Sequence, residues 1–238
     1  MNRGDIHMKN IRATLLGGVS LAGAVLVSGA ALADGTWDHD VAFGVAFTSD
    51  YIARGATQTE GGPAVQPWAE LDISKFYVGY WGSNVSAAGV AYWENDLSIG
   101  VRPMIGPVSV DLGYVRYVYS DNAFAMPSGE AYVKASFSPV DPLTLGASFY
   151  INPEMTANTY AELNAAYAFK EHFSVSGAVG FSNSGGVATT PWNIGLAWKP
   201  VEPVTLDVRY QAGPSANKVV FTLSLASSVS ALKAMTQK

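Results

Sequence analysis

From Val41 to Leu225 the chain sets a large apolar residue at every second position across one short stretch after another. Val41, Phe43, Val45 and Phe47 alternate with Ala42, Gly44, Ala46 and Thr48; Val204, Leu206, Val208 and Tyr210 alternate with Thr205, Asp207, Arg209 and Gln211. A period of two is that of a β-strand, whose successive side chains point to opposite faces. The second face decides the class. A soluble sheet shows water a polar face, but here that face is crowded with Gly, Ala and Ser, which a solvated surface does not need. A transmembrane β-barrel inverts the arrangement, with apolar residues against lipid and small or polar ones around a lumen.

Composition points the same way. Charged residues make up 14% of the 238 residues, against about 25% in ordinary soluble domains. There is no Cys, so disulfides and thiolate metal sites are excluded. The acidic balance, 14 Lys+Arg against 19 Asp+Glu, argues against nucleic acid as a partner. At the N-terminus Lys9 and Arg12 precede an apolar run from Leu15 to Val27 and the A-x-A sequence Ala31-Leu32-Ala33. This reads as a secretory signal peptide over 1–33, with a barrel over 34–226 and a C-terminal tail over 227–238. No later stretch reaches the roughly 18 apolar residues of a spanning helix. A membrane form is therefore a closed barrel, which satisfies every backbone group in lipid.

The expected fold is all-β, an antiparallel up-and-down barrel of about twelve strands. They fall near 40–49, 63–74, 76–85, 93–102, 108–119, 129–138, 143–151, 159–169, 173–181, 191–199, 204–211 and 218–226. Turns alternate in length. Tight ones at 74–75, 103–107, 139–142, 170–172 and 200–203 are rich in turn formers. Loops at 50–62, 86–92, 120–128, 152–158, 182–190 and 212–217 are longer. Short turns on the periplasmic rim and longer loops on the extracellular rim are the pattern of outer-membrane barrels. Phe76, Phe137, Tyr167, Phe173 and Trp198 fall near the short turns. Trp68, Trp93, Tyr117, Tyr119, Tyr132, Tyr150, Tyr160 and Trp192 fall towards the loops. They suit two interfacial aromatic girdles, although several of the second set share parity with polar residues and so suit the mouth equally.

Parity puts thirteen charges on the lumen face: Glu70, Asp72, Glu94, Asp96, Arg102, Asp111, Glu130, Lys134, Glu162, Lys199, Asp207, Arg209 and Lys218. Facing lipid at mid-depth, Lys or Arg would cost about 2–4 kcal/mol each, so these residues are expected to line a pore. Rings of charge set ion preference in pores, and eight carboxylates against five cations predict a weak cation preference. The other reading is that opposite charges pair across the lumen and close it, giving a non-conducting structural or adhesion barrel. Arg116 breaks the parity near a strand end, where snorkelling or a bulge relieves the cost. Arg54, in the first long loop, is a candidate constriction of the mouth; its alternative is a solvated loop arginine bonded to a neighbour.

An enzyme is not expected. His39 precedes the first strand and His172 lies in a short turn, so no base stands where a strand-borne Ser–His arrangement requires one. No cofactor or metal is expected.

Four segments then carry a resemblance: VAFTSDYIARGATQTEGGPAVQPWAELD, FYVGYWGSNV, ENDLSIG and DLGYVRYVY. They resemble the TorF family of proteobacterial outer-membrane porins, densest between Tyr51 and Tyr119. Arg54-Gly55 and Trp81-Gly82-Ser83-Asn84-Val85 are the more specific elements. The resemblance implies an outer-membrane barrel with porin function, and with it lipid, small hydrophilic solutes or ions, and the outer-membrane assembly machinery as partners. One departure stands out. The last strand, at Phe221 to Leu225, is followed by a tail ending in Lys238 without the terminal aromatic such barrels usually carry.

Overall fold

A computed structural model describes residues 39–120 and 128–236. The expected signal peptide and part of the third long loop lie outside the described residues. In chain order the elements are β1 (His39–Thr48), β2 (Ile52–Ala53), β3 (Ala56–Thr57), β4 (Ala64–Ile73), β5 (Phe76–Ala87), β6 (Val90–Val101), β7 (Met104–Ile105), β8 (Val108–Tyr119), β9 (Ser128–Val140), β10 (Leu143–Ile151), β11 (Thr159–Lys170), β12 (Phe173–Ser184), β13 (Val187–Thr189), β14 (Trp192–Trp198), β15 (Val204–Ala212), β16 (Asn217–Ser228) and α1 (Val229–Thr236).

Twelve of these strands form the barrel. Each pairs antiparallel with its neighbour in the order β1, β4, β5, β6, β8, β9, β10, β11, β12, β14, β15, β16. The ring closes where Ala42 faces Ser228 and Thr48 faces Thr222. Closure leaves no sheet edge. An even count returns both ends of the barrel to the rim of short turns. Pro139–Pro142 and Pro200–Pro203, near-repeats in sequence, both contain a cis proline on that rim.

Two of the expected long loops are tight hairpins instead. β5 and β6 run on to Ala87 and Val90 and meet at Ala88-Gly89, both with positive φ. β12 continues to Ser184 and pairs with β13 across Gly185-Gly186, also of positive φ. A two-residue turn with both φ positive matches the twist of the flanking strands, so pairing extends to the turn. The last strand reaches Ser228, and α1 follows within the tail; Ser230 caps onto Asp40 through its backbone N–H at 3.1 Å and its hydroxyl.

The faces separate cleanly. Phe47, Phe76, Val78, Leu97, Ile99, Leu163, Ile194, Leu196 and Phe221 are exposed on the outside. A continuous apolar belt of this size is not left in water by a soluble protein. Phe76, Phe137, Tyr167 and Trp198 keep their expected outward places near the short turns, and Trp198 stacks on Phe173 at 6.1 Å and 9°. The aromatics near the loops divide. Trp192 faces out, whereas Trp68, Tyr132, Tyr150 and Tyr160 are buried in the interior.

Glycine makes room for them. A Cβ on Gly113 would stand 2.5 Å from the Tyr132 ring, and one on Gly180 would collide with Tyr160. Gly113 and Gly180 are thus seats for large rings from neighbouring strands.

Candidate functional site

Near the short-turn rim, charges from three strands meet around Arg102, which follows β6. Its Nη1 lies 2.6 Å from Glu70 Oε1 and 3.2 Å from Asp72 Oδ1, and its Nε lies 3.5 Å from Asp111 Oδ2. The guanidinium also covers the Tyr77 ring at 3.7 Å. Tyr77 donates to Asp111 at 2.7 Å and shares a hydrogen bond with the Tyr132 hydroxyl. Lys134 completes the group, 3.7 Å from Asp111 and 4.3 Å from the Tyr132 ring centre. Register explains the meeting: Asp111 on β8 stands opposite Lys134 on β9.

The opposite rim is crossed by the first long loop. β2 and β3 form a small hairpin whose turn residues, Arg54 and Gly55, both have positive φ (49° and 74°). Glycine adopts that conformation freely, an arginine rarely. At one side of the tip, Arg54 is gripped by Glu130 of β9, with Nη1–Oε1 at 2.9 Å and Nη2–Oε2 at 2.6 Å. Its guanidinium lies over Tyr160 at 4.4 Å and Tyr150 at 5.3 Å. Burial opposes its charge, yet the hydrogen bonds and charge of Glu130 hold its pKa above the ordinary arginine value.

At the other side the hairpin rests on the loop between β15 and β16. A Cβ on Gly55 would stand 2.7 Å from Gly213 Cα, so only glycine fits. Ser215 N–H donates to the Gly55 carbonyl, and Thr57 N–H donates to Ser215 Oγ, both at 3.2 Å. Ile52 packs with Ala216 and Val220. Lys218 reaches Asp50 at 2.7 Å, and Asp50 Oδ1 accepts from Thr57 and Thr59.

Between these groups lie Glu94, Asp96 and Glu162, all buried. Tyr119 donates to Glu94 at 2.6 Å and Tyr160 to Glu162 at 2.7 Å. Neither oxygen of Asp96 has a hydrogen-bond partner among the described residues. On the far wall, Arg209 is held by Asp207 at 3.0 Å, Asn193 at 2.7 Å and Ser176 Oγ at 2.8 Å. Lys199 follows β14 on the short-turn rim, where its N–H donates to the His172 carbonyl at 2.9 Å. Arg116 stands on the outer face and pairs with Glu154 at 3.4 Å.

The interior is therefore two-sided. From β1 to β9 the inward side chains are largely buried, with Glu70, Asp72, Asp111 and Glu130 in ion pairs and Asp96 without a partner among the described residues. From β10 to β16, apart from buried Ser148, Tyr150, Tyr160 and Glu162 and the Arg209 group, several are small and half-buried: Thr144, Asn164, Ser176, Ala178, Thr205 and Ser224. Arg54 belongs with Glu130, a contact between residues 76 apart that local reading cannot supply. Asp50, Tyr77, Tyr117 and Tyr119, missing from the expected charge set, hold its members in place; Tyr117 and Tyr119 share inward parity with Asp111 on β8, and Tyr77 shares that of Gly79 and Ser83 on β5.

Residues 32–237 match the family described as a bacterial protein of unknown function, Gcw_chp. The chain belongs to the Gcw_chp family. No curated protein matches it. Among solved structures, the Gcw_chp chain is similar to the KdgM porin (TM-score 0.57, 8% identity, 79% of this chain and 97% of that one). It is likewise similar to the KdgM porin in complex with disordered oligogalacturonate (0.56, 9%, 79% and 97%), and to the NanC porin (0.50, 10%, 78% and 97%). At such identities the likeness is one of fold. The porin-like barrel implied by the TorF-like segments is borne out, under the Gcw_chp name rather than TorF. A closed barrel with a lipid-facing belt makes this Gcw_chp protein an outer-membrane protein.

Proposed function

We propose that this protein is a TorF-type outer-membrane channel for passive diffusion of small hydrophilic solutes, made after removal of residues 1–33. The observation that carries the reading is the half-buried, hydroxyl- and amide-bearing strip on β10 to β16, a face of small residues that a solid interior would fill. Pore-lining roles fall to Glu70, Asp72, Glu94, Asp96, Arg102, Asp111, Glu130, Lys134, Glu162, Lys199, Asp207, Arg209 and Lys218. The Arg54 hairpin narrows the extracellular mouth. Carboxylates outnumber cations among these lining groups, which favours cations along the path.

One feature favours the second reading, a non-conducting barrel: the hairpin is fastened to both walls. Liposome swelling separates the two. Vesicles carrying refolded protein should swell in a pentose and slow as the sugar lengthens. Vesicles that stay inert although the barrel is folded, by heat-shifted gel mobility, support the structural barrel.

A further inference from the structure

We propose that the chamber beneath the first loop is a binding site for guanidinium- or ammonium-bearing solutes, and that Arg54 occupies it as a tethered stand-in. The inference rests on the reading that the hairpin stands in the solute path. Three observations carry it. The Arg54 guanidinium is bound as a free ligand would be, forked onto the Glu130 carboxylate at 2.9 and 2.6 Å and faced by the rings of Tyr160 and Tyr150 at 4.4 and 5.3 Å. A carboxylate fork with aromatic faces is the recognition chemistry of a planar or alkylated cation. Glu130 is itself set in place from the wall, by a hydrogen bond from Tyr117 at 2.7 Å.

The second observation is a buried acid group without a partner. Asp96 is 3% exposed, both its oxygens are without a hydrogen-bond partner among the described residues, and Glu94 and Glu130 lie within electrostatic reach of it. A buried carboxylate left so is costly unless a cation or donor reaches it. Arg54 satisfies Glu130 and leaves Asp96 unanswered, so a solute with two cationic ends completes what the tethered group does not. Among the described residues no group of three His, Cys, Asp or Glu is placed to hold a metal ion. The fork onto Glu130 and the ring faces of Tyr150 and Tyr160 suit an organic cation.

The third observation is the tether. Arg54 enters the chamber from a hairpin tip whose positive φ an arginine seldom adopts. An internal occupant lowers the apparent affinity for an external one in proportion to the time the site stands filled.

The test is calorimetric titration of agmatine, which carries a guanidinium and an ammonium, into full-length protein refolded in detergent. Arg54→Gly empties the site and suits the positive φ. It should bind agmatine roughly tenfold more tightly than the unaltered chain, and adding Glu130→Gln should abolish the gain. Butylurea, the uncharged analogue, should not bind. If the glycine variant does not fold, Arg54→Lys, a weaker occupant without the fork, should still bind agmatine more tightly than the unaltered chain. Equal affinity with and without Arg54, or a gain that survives Glu130→Gln, overturns the proposal. Binding in detergent needs no conduction. Agmatine binding by a barrel silent in bilayers would sink the channel and keep the site; conduction without agmatine binding would do the reverse.

Discussion

Arg54 and Glu130, 76 residues apart in the chain, meet in a two-pronged ion pair, Nη1 to Oε1 at 2.9 Å and Nη2 to Oε2 at 2.6 Å. This pair joins the first loop to β9, while Gly55 joins it to the opposite wall. The loop is thereby a bar across the mouth rather than a free flap.

Unseating the far end should widen the mouth. Gly55 lies so close to Gly213 that Gly55→Ala places a Cβ 2.7 Å from a backbone carbon, on a residue whose φ is already +74°. The tip must lift. The expected outcome is a larger and noisier unit conductance in planar bilayers, with the barrel still folded by gel mobility. A conductance identical to that of the unaltered chain would place the narrowest point elsewhere.

The Arg102 cluster predicts a stability effect. Arg102→Ala leaves Glu70, Asp72 and Asp111 facing one another without their shared cation. Removing one partner of a buried pair costs on the order of 3–5 kcal/mol, read as a lower urea midpoint in lipid vesicles. Arg116→Ala, which loses an exposed pair on the outer face, should leave the midpoint where it was. Equal effects would mean that the Arg102 group is as well hydrated as the surface.

Gly113 tests the ring seats. Gly113→Ala sets a Cβ 2.5 Å from the Tyr132 ring, with Ile99 O at 2.8 Å behind it. Overpacking of this kind costs about 1–3 kcal/mol. The same substitution at Gly89, a turn glycine with nothing within 4 Å, acts through its positive φ alone and should leave the Tyr132 environment, followed by near-ultraviolet circular dichroism, unaltered.

The outward face makes its own prediction. Leu145, Leu196 and Leu206 are exposed on the outer surface. Arginine at any of them should impair insertion by about 2–4 kcal/mol at the midplane, scored by folded yield in vesicles. Cysteines in place of Thr144 or Thr205 should react with aqueous thiol reagents and not with lipid-soluble ones. The reverse labelling would turn the barrel inside out.

The strands were legible because the period of two is a local property and lipid enforces it along the whole wall. Charges such as Glu70 and Asp111 were legible for the same reason: parity alone sends them inward. The turn at Ala88-Gly89 was not, since its strand extension depends on pairing between β5 and β6 rather than on an obvious turn pair. Nor was the direction of Trp68 or Tyr132, because a ring in a strand suits lipid, interface or lumen equally until the glycine opposite is known. Arg54 was visible as a loop arginine beside a glycine. Its partner was not, since 76 residues of chain must fold before Glu130 comes within reach.

Single-channel recording of the refolded chain in a planar bilayer tests the central claim most directly. A water-filled path behind the hairpin predicts discrete conductance steps. A KCl gradient should give a reversal potential of weak cation preference, stronger at low ionic strength because salt screens fixed charge over roughly 8–10 Å. A folded barrel that yields no steps, both unaltered and as Gly55→Ala, would contradict the account.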